Sequence, residues 1–313
     1  MTSVISHNLA TSRDAPAAAQ DLPRWPRWVE ELVRGGQRRL MKERTSESSL
    51  TVIDAAEHRL VRARVTGAGS LSDEAFAAAA AGAYVQIVTE LQSAPARHAV
   101  RFWNYIPDIH RVCSGGTDRY MVFNAGRFEA CRHWQAADVL PTASGIGHGG
   151  NDLIIDALAM VEPGLPVENP RQRPSYVYSR RYGPRPPCFS RATLIPARGA
   201  EPPRLLVGGT ASVVGEDSMH AGNLAAQIDE TLRNLASLVA AAGGAAGNSR
   251  GLKALRRFTE LRIYRPRAGD DKQIDQTVAA HFPQSRTEYV SADLCRKELL
   301  IEIEGVAILK GLR

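Results

Sequence analysis

The sequence predicts an α+β protein in which one layout is used twice. Three observations carry this. Period-two alternation of apolar and polar residues marks strands at 50–65, 205–214 and near the C-terminus. Helical spacing marks 73–91 and 223–242. The order of strands, helix, strand and helix occurs once in each half, although no direct sequence repeat links the halves.

Residues 50–65 (LTVIDAAEHRLVRARV) hold two alternating runs about a polar turn and predict a hairpin. Ser70-Leu-Ser-Asp73 is a capping-box pattern before an Ala-rich helix that ends near Leu91, ahead of Ser93 and Pro95. His98 to Ile106 is an aromatic, β-branched strand stopped by Pro107, and Tyr120 to Ala136 is a second amphipathic helix. Pro141 to Gly150 (PTASGIGHGG) reads as a loop and a seam, because it lacks the Lys-Ser/Thr ending of a phosphate cradle. Leu153 to Val161 is apolar enough for a buried strand.

In the second half, Ala192–Ala197 and Leu205–Val214 predict strands, Asn223–Ala242 a helix closed by Gly243 and Gly244, Phe258–Tyr264 a strand and Asp271–His281 a helix. Thr287–Ala292 and Leu299–Leu309 then predict a closing β-hairpin. The expected parts are a tail with a basic, Trp-containing segment at 1–48, an N-terminal domain at 49–145 and a C-terminal domain at 146–313.

The chain has 313 residues, 44% hydrophobic and 23% charged, the balance of a water-soluble globular protein. A net charge of +6 suits anionic partners without choosing among nucleic acid, a membrane surface and a small dianion. Trp25 and Trp28 lie among arginines, a pattern that stacks bases in some proteins, but a Trp-anchored, solvated segment is the expectation here. Cys113, Cys131, Cys188 and Cys295 show neither disulfide nor zinc spacing, which fits a reducing cytoplasm and no metal. Met1 to Gln20 lacks the apolar core of a signal peptide, and no stretch has the length of a membrane helix.

Two segments carry candidate chemistry. In the last strand, alternation puts Leu300, Glu302, Glu304 and Val306 on one face, so Glu302 either meets solvent or looks into a cavity. Among apolar neighbours its carboxyl becomes harder to ionise and suited to proton transfer. The second is 168–191 (ENPRQRPSYVYSRRYGPRPPCFSR), where prolines exclude regular helix and hold arginines and tyrosines at set positions. It is either an anion clamp or a wet surface loop; arginine's planar fork suits carboxylates.

From Leu205 to Leu309 the chain resembles the RidA/YjgF family, through LLVGGTASVVG, the AAQIDETLRNLASLVAAAGG helix, RIYRP, HFPQSRTEYVSADL and IEIEGVA. That resemblance implies that Arg286 binds a substrate carboxylate while Glu302 handles a proton. Over roughly 98–309, the blocks RFWNYIPDIH, RYMVFNAGR, ENPRQRPSYVYSRRYGPRPPCFSRA and VGGTASVVGEDSMHAGN resemble the chorismatases. These are doubled, usually monomeric RidA-like proteins that remove pyruvate from chorismate. The implied fold is two RidA/YjgF-like, chorismate-mutase-like domains packed as a pseudo-oligomer in one chain, the second of them catalytic.

The same resemblance implies Glu302 as general acid/base, with Arg286, Arg191, Arg185, Tyr178, Tyr182 and Thr210 as substrate contacts. Gly208 and Cys295 match the 3-hydroxybenzoate-forming branch, with Cys295 assisting ring opening or proton movement. It further implies no cofactor, a cytoplasmic monomer, and chorismate rather than nucleic acid or membrane as partner. Alternatives are hydrolysis of chorismate to 3,4-dihydroxycyclohexa-1,5-diene carboxylate, a 4-hydroxybenzoate product, an imine/enamine deaminase using the same Arg286 and Glu302, and a non-catalytic nucleic-acid binder.

Overall fold

Two six-stranded sheets form the molecule, and both are assembled in the same order. The computed structural model describes residues 22–42, 47–134, 140–243, 251–267, 269 and 271–309. The opening tail and the Gly244 end of the long second-half helix lie outside them.

The first half runs α1 (Arg27–Leu32), β1 (Gln37–Lys42), β2 (Ser48–Ala55), β3 (His58–Val65), α2 (Asp73–Gln92), β4 (His98–Pro107), α3 (Arg119–Trp134), β5 (Thr142–His148) and β6 (Leu153–Met160). The second half runs β7 (Leu165–Val167), β8 (Ala192–Ile195), β9 (Arg204–Ala211), the small pair β10 (Val213–Val214) and β11 (Asp217–Ser218), then α4 (Leu224–Ala242), β12 (Phe258–Arg265), α5 (Asp271–His281), β13 (Arg286–Ser291) and β14 (Glu302–Ile308).

Strand order is β1-β2-β3-β6-β4-β5 in one sheet and β7-β8-β9-β14-β12-β13 in the other. In each, the strand after the second helix pairs parallel at the far edge, β5 on β4 and β13 on β12, and the final strand inserts antiparallel at the centre. The duplicated layout expected from element order is therefore present strand for strand. Register extends the match to residues: Asp156 faces Trp103 and Ile154 faces Tyr105, as Glu304 faces Arg262 and Glu302 faces Tyr264. LIIDALAM of β6 thus occupies the place of IEIEGVAI in the second half.

Local chemistry explains the helices. Ser72, two residues beyond the expected Ser70, caps α2 by accepting from the Ala75 N–H, with Asp73 and Glu74 in the favourable first turn. Asn223 caps α4 through the Ala226 N–H. Helices α2 and α3 pack closely because Gly126 has no Cβ; one would lie 2.1 Å from the Ala77 carbonyl oxygen.

Each sheet buries one face against its helices. The opposite faces meet, with Val100, Trp103, Ile154 and Leu158 packed with Leu206, Tyr264, Leu299 and Val306. Burial of each large apolar side chain contributes about 1.5–3 kcal/mol, which makes this seam a true core.

Four sequence expectations change. PTASGIGHGG is mostly the strand β5, not a loop: its glycines are spaces for neighbours, since a Cβ on Gly145 would meet the Tyr120 ring at 2.8 Å and one on Gly147 would meet Ile109 at 2.8 Å. The closing hairpin is not formed, because β13 pairs parallel with β12 while β14 fills the gap between β12 and β9. The boundary at 145/146 falls inside β5, and the first sheet continues to Met160. Finally, residues 22–42 join the first half: the Arg62 guanidinium lies 4.6 Å from the Trp25 ring centre and Trp28 packs 6.0 Å from Trp103, so both indoles serve packing.

Candidate active site

A cavity of about 400 Å³ opens at the seam, where β14 and β9 of the second half approach β5 of the first. Glu302 projects into it from the start of β14 and is 4% exposed. The opposite wall is Ser144 and Gly145 of β5, and Gly209 of β9 lies alongside. A Cβ on Gly209 would sit 2.0 Å from Glu302 Oε1, so the acid occupies space that any other residue at 209 would claim.

Two carboxylates on one strand have opposite surroundings. Glu304 Oε2 accepts from Arg101 Nη2 at 2.6 Å and from the Ser144 hydroxyl at 2.6 Å, while Oε1 accepts from Trp103 Nε1 at 2.7 Å. All three donors belong to the first half. Ser144 Oγ in turn accepts from Arg101 at 2.5 Å and from the Gly209 N–H at 2.9 Å. Glu302 Oε1, by contrast, is buried with no hydrogen-bond partner among the described residues. Burial first, then the neighbouring Glu304 charge, push its carboxyl up to about 8, against the pull of Arg101 and Arg191. At neutral pH the group is a protonated acid facing open space.

The Pro-, Arg- and Tyr-rich segment supplies the next wall. Tyr178 and Tyr182 stand with ring centres 5.3 Å apart and line the cavity. Arg191, 8% exposed, donates to the Tyr178 hydroxyl at 2.5 Å and to the Arg173 carbonyl at 3.1 Å, leaving Nε without a partner among the described residues. Arg296 stacks over Tyr182 at 4.0 Å and donates to Glu216 O and Ser218 Oγ. Arg127 of α3 completes the cationic lining, buried, with its Nε also unpartnered among the described residues. None of these three guanidiniums is ion-paired to a carboxylate among the described residues, which leaves their charge available to an anion.

Cys295 also lines the cavity. Burial and the Glu302 carboxylate push its thiol up to about 12, so it is a neutral, weak donor and not a nucleophilic thiolate. The remaining expected contacts lie outside. Arg185 reaches over Phe128 and pairs with Glu129 at 3.5 Å on the exposed side of α3. Thr210 is buried and donates to the Gly208 carbonyl at 2.9 Å. Gly208 backs the wall: a Cβ there would meet Thr142 Cγ2 at 2.8 Å and the Arg191 carbonyl at 3.1 Å, so it lets β9 lie close to β5.

Arg286 is the largest departure. It is held on the surface by Glu31 at 2.7 Å and Glu260 at 2.6 Å and is not part of the cavity. Register explains this, for Arg286 pairs with Glu260, which pairs with Val306, four residues along β14 from Glu302. Four residues and two strand spacings separate the two by about 13 Å along and about 10 Å across the sheet. The strand that faces Glu302 is instead β5, and Thr142 holds the place on β5 that Arg286 holds on β13. Sequence reading missed Ser144, Arg127, Tyr120 and Arg296, whereas the Gly208-Gly209 pair in LLVGGTASVV already marks a place of close approach. Of the missed residues, Arg296 carried a signal, since it directly follows Cys295.

A neutral acid, three guanidiniums without a carboxylate partner among the described residues and two tilted tyrosine rings share one seam cavity, an arrangement able to hold a small anion and to move a proton. Comparison with known proteins gives the family. The family model for Chorismatase FkbO/Hyg5-like, N-terminal, matches residues 38–159. A 3-hydroxybenzoate synthase of Streptomyces hygroscopicus is 35% identical over 278 residues, 85% of this chain and 78% of the relative. A chorismatase of Streptomyces rapamycinicus is 35% identical over 236 residues, 74% of this chain and 70% of the relative. The crystal structure of a chorismatase matches with a TM-score of 0.72 at 28% identity, over 82% of this chain and 77% of that one. The chain belongs to the chorismatase family.

Proposed function

We propose that this chain is a chorismatase that removes pyruvate from chorismate to leave 3-hydroxybenzoate, with Glu302 as the general acid. The observation that carries the reading is the cavity itself: one protonated carboxyl whose Oε1 has no partner among the described residues, beside Arg127, Arg191 and Arg296, which have no carboxylate partner among them either. Chorismate carries a ring carboxylate and an enolpyruvyl carboxylate. Arg191, Arg296 and Arg127 are the groups that bind them, and Tyr178 and Tyr182 pack against the ring.

Glu302 gives its proton to the methylene carbon of the enolpyruvyl ether, making an oxocarbenium centre and leaving a carboxylate. The neighbouring ring hydroxyl attacks the ether-bearing ring carbon and its proton returns to Glu302. The carbon–oxygen bond to the side chain breaks and pyruvate departs with that oxygen as its keto group. The arene oxide left behind opens and rearranges to the phenol without further change in composition. Cys295, as a neutral thiol, serves the opening as a hydrogen-bond donor. Gly208 serves the same branch by letting β9 sit close to β5, which shapes the cavity wall.

The protein acts as a monomer on this reading, because both halves of the seam come from one chain. Incubating the purified protein with chorismate and separating the products tests it. Pyruvate and 3-hydroxybenzoate in equal amounts are expected, and Glu302→Gln lowers turnover by about a hundredfold to ten-thousandfold. A non-aromatic diene product, or full activity in the Gln variant, overturns the respective assignment.

A further inference from the structure

We propose that Glu304 is a positioning residue for this reaction: a carboxylate clamped from the other half of the chain, whose negative charge keeps the proton on Glu302. This rests on Glu302 being the acid. Glu304 lies two residues further along β14 on the same face, about 7 Å away by strand geometry, and is 3% exposed. Both its oxygens are engaged by Arg101, Ser144 and Trp103 and it does not line the cavity, so its contribution is charge. Between two side chains this buried, a like charge at that distance disfavours a second carboxylate.

The other groups around Glu302 do not replace that effect. Arg101 on β4 and Arg191 before β8 favour its ionised form, whereas Cys295 after β13, Tyr120 on α3 and Tyr264 on β12 are neutral at working pH. Arg101 therefore has two opposed roles: it clamps Glu304 and, by its own charge, draws the proton off Glu302. Glu304 shares the strand and the face of Glu302, and its influence on the acid exceeds that of Arg101.

The test is the pH dependence of kcat in purified full-length variants. The wild type loses activity above about pH 8 as Glu302 ionises. Glu304→Gln keeps the shape and acceptor oxygen but removes the charge, and its alkaline limb moves down by about one pH unit or more. Arg101→Gln moves the limb the other way and supplies the same test should Glu304→Gln fail to fold. Ser144→Ala, which drops one bond to Glu304 but no charge, leaves the limb in place whatever it does to kcat. A limb that stays put in both charge variants, with kcat lowered evenly at all pH values, overturns the proposal and reduces Glu304 to a structural group. Activity that survives in Glu302→Gln overturns the acid assignment instead.

Discussion

The two halves share strand order, register and even an acid at the same place on the final strand, yet the cavity at their seam takes a buried carboxyl from only the second of them. Asp156 of β6 and Glu304 of β14 are both buried and both ion-paired. Asp156 is satisfied inside its own sheet by Arg62, its cross-strand neighbour at 2.7 Å. Glu304 is satisfied across the seam by Arg101, Trp103 and Ser144. Two residues earlier the contrast is complete, with fully buried Ile154 where the other half has Glu302. A duplicated scaffold thus keeps a paired acid in both copies and adds, in one copy, an acid with an oxygen unpartnered among the described residues, the group proposed for the chemistry.

The sharpest way to break this contrast is at Gly209. Gly209→Ala places a methyl where the Glu302 carboxylate now lies, displacing the acid by about an ångström and lowering kcat by about a hundredfold. Folding is little changed, because the displaced group is a side-chain end facing open space; kinetics and a thermal melt on the same sample check both. Next in size is the reverse graft. Ile154→Glu buries a carboxyl among the apolar side chains of the inter-sheet core, where its cross-strand neighbour Arg64 is already paired with Asp152, and costs about 3 kcal/mol in urea unfolding without adding a second activity. A stable variant with raised turnover would show that the halves are chemically equivalent.

Glu302 also leaves a mark on stability. Its carboxyl is raised to about 8 in the folded chain against 4.5 ordinarily, so between those values folding takes up a proton. The stability it contributes is lost as pH rises through that window, and Glu302→Gln removes that part of the slope in denaturation followed from pH 5 to 9. The smallest effect is expected at Arg286. Its ion pairs are on the surface, so Arg286→Ala changes kcat/KM for chorismate by less than about twofold. A large loss would return Arg286 to the site and contradict the strand register.

Local pattern and tertiary placement divide cleanly here. Composition, helical spacing and alternation identified α2 through α5 and most central strands, because those signals depend on neighbours within a few residues. The identity of Glu302 and Cys295 as cavity residues, and of Arg191, Tyr178 and Tyr182 with them, was also legible, since motif and resemblance tie them to one another in sequence. Strand β5 was not, because its glycines are explained only by Tyr120, Ile109 and Asp293 crowding against it from elsewhere in the chain.

What the amino-acid order determined by itself was an α+β chain with one layout used twice and a last strand carrying two glutamates. Only the tertiary structure decided which glutamate faces the cavity. The pairing of sheet faces brings Arg101, Trp103 and Ser144 onto Glu304 and leaves Glu302 Oε1 without a partner among the described residues, and the parallel docking of β13 carries Arg286 away from both. Alternation sets the face a side chain points to, whereas burial and charge depend on what another part of the chain lays against that face.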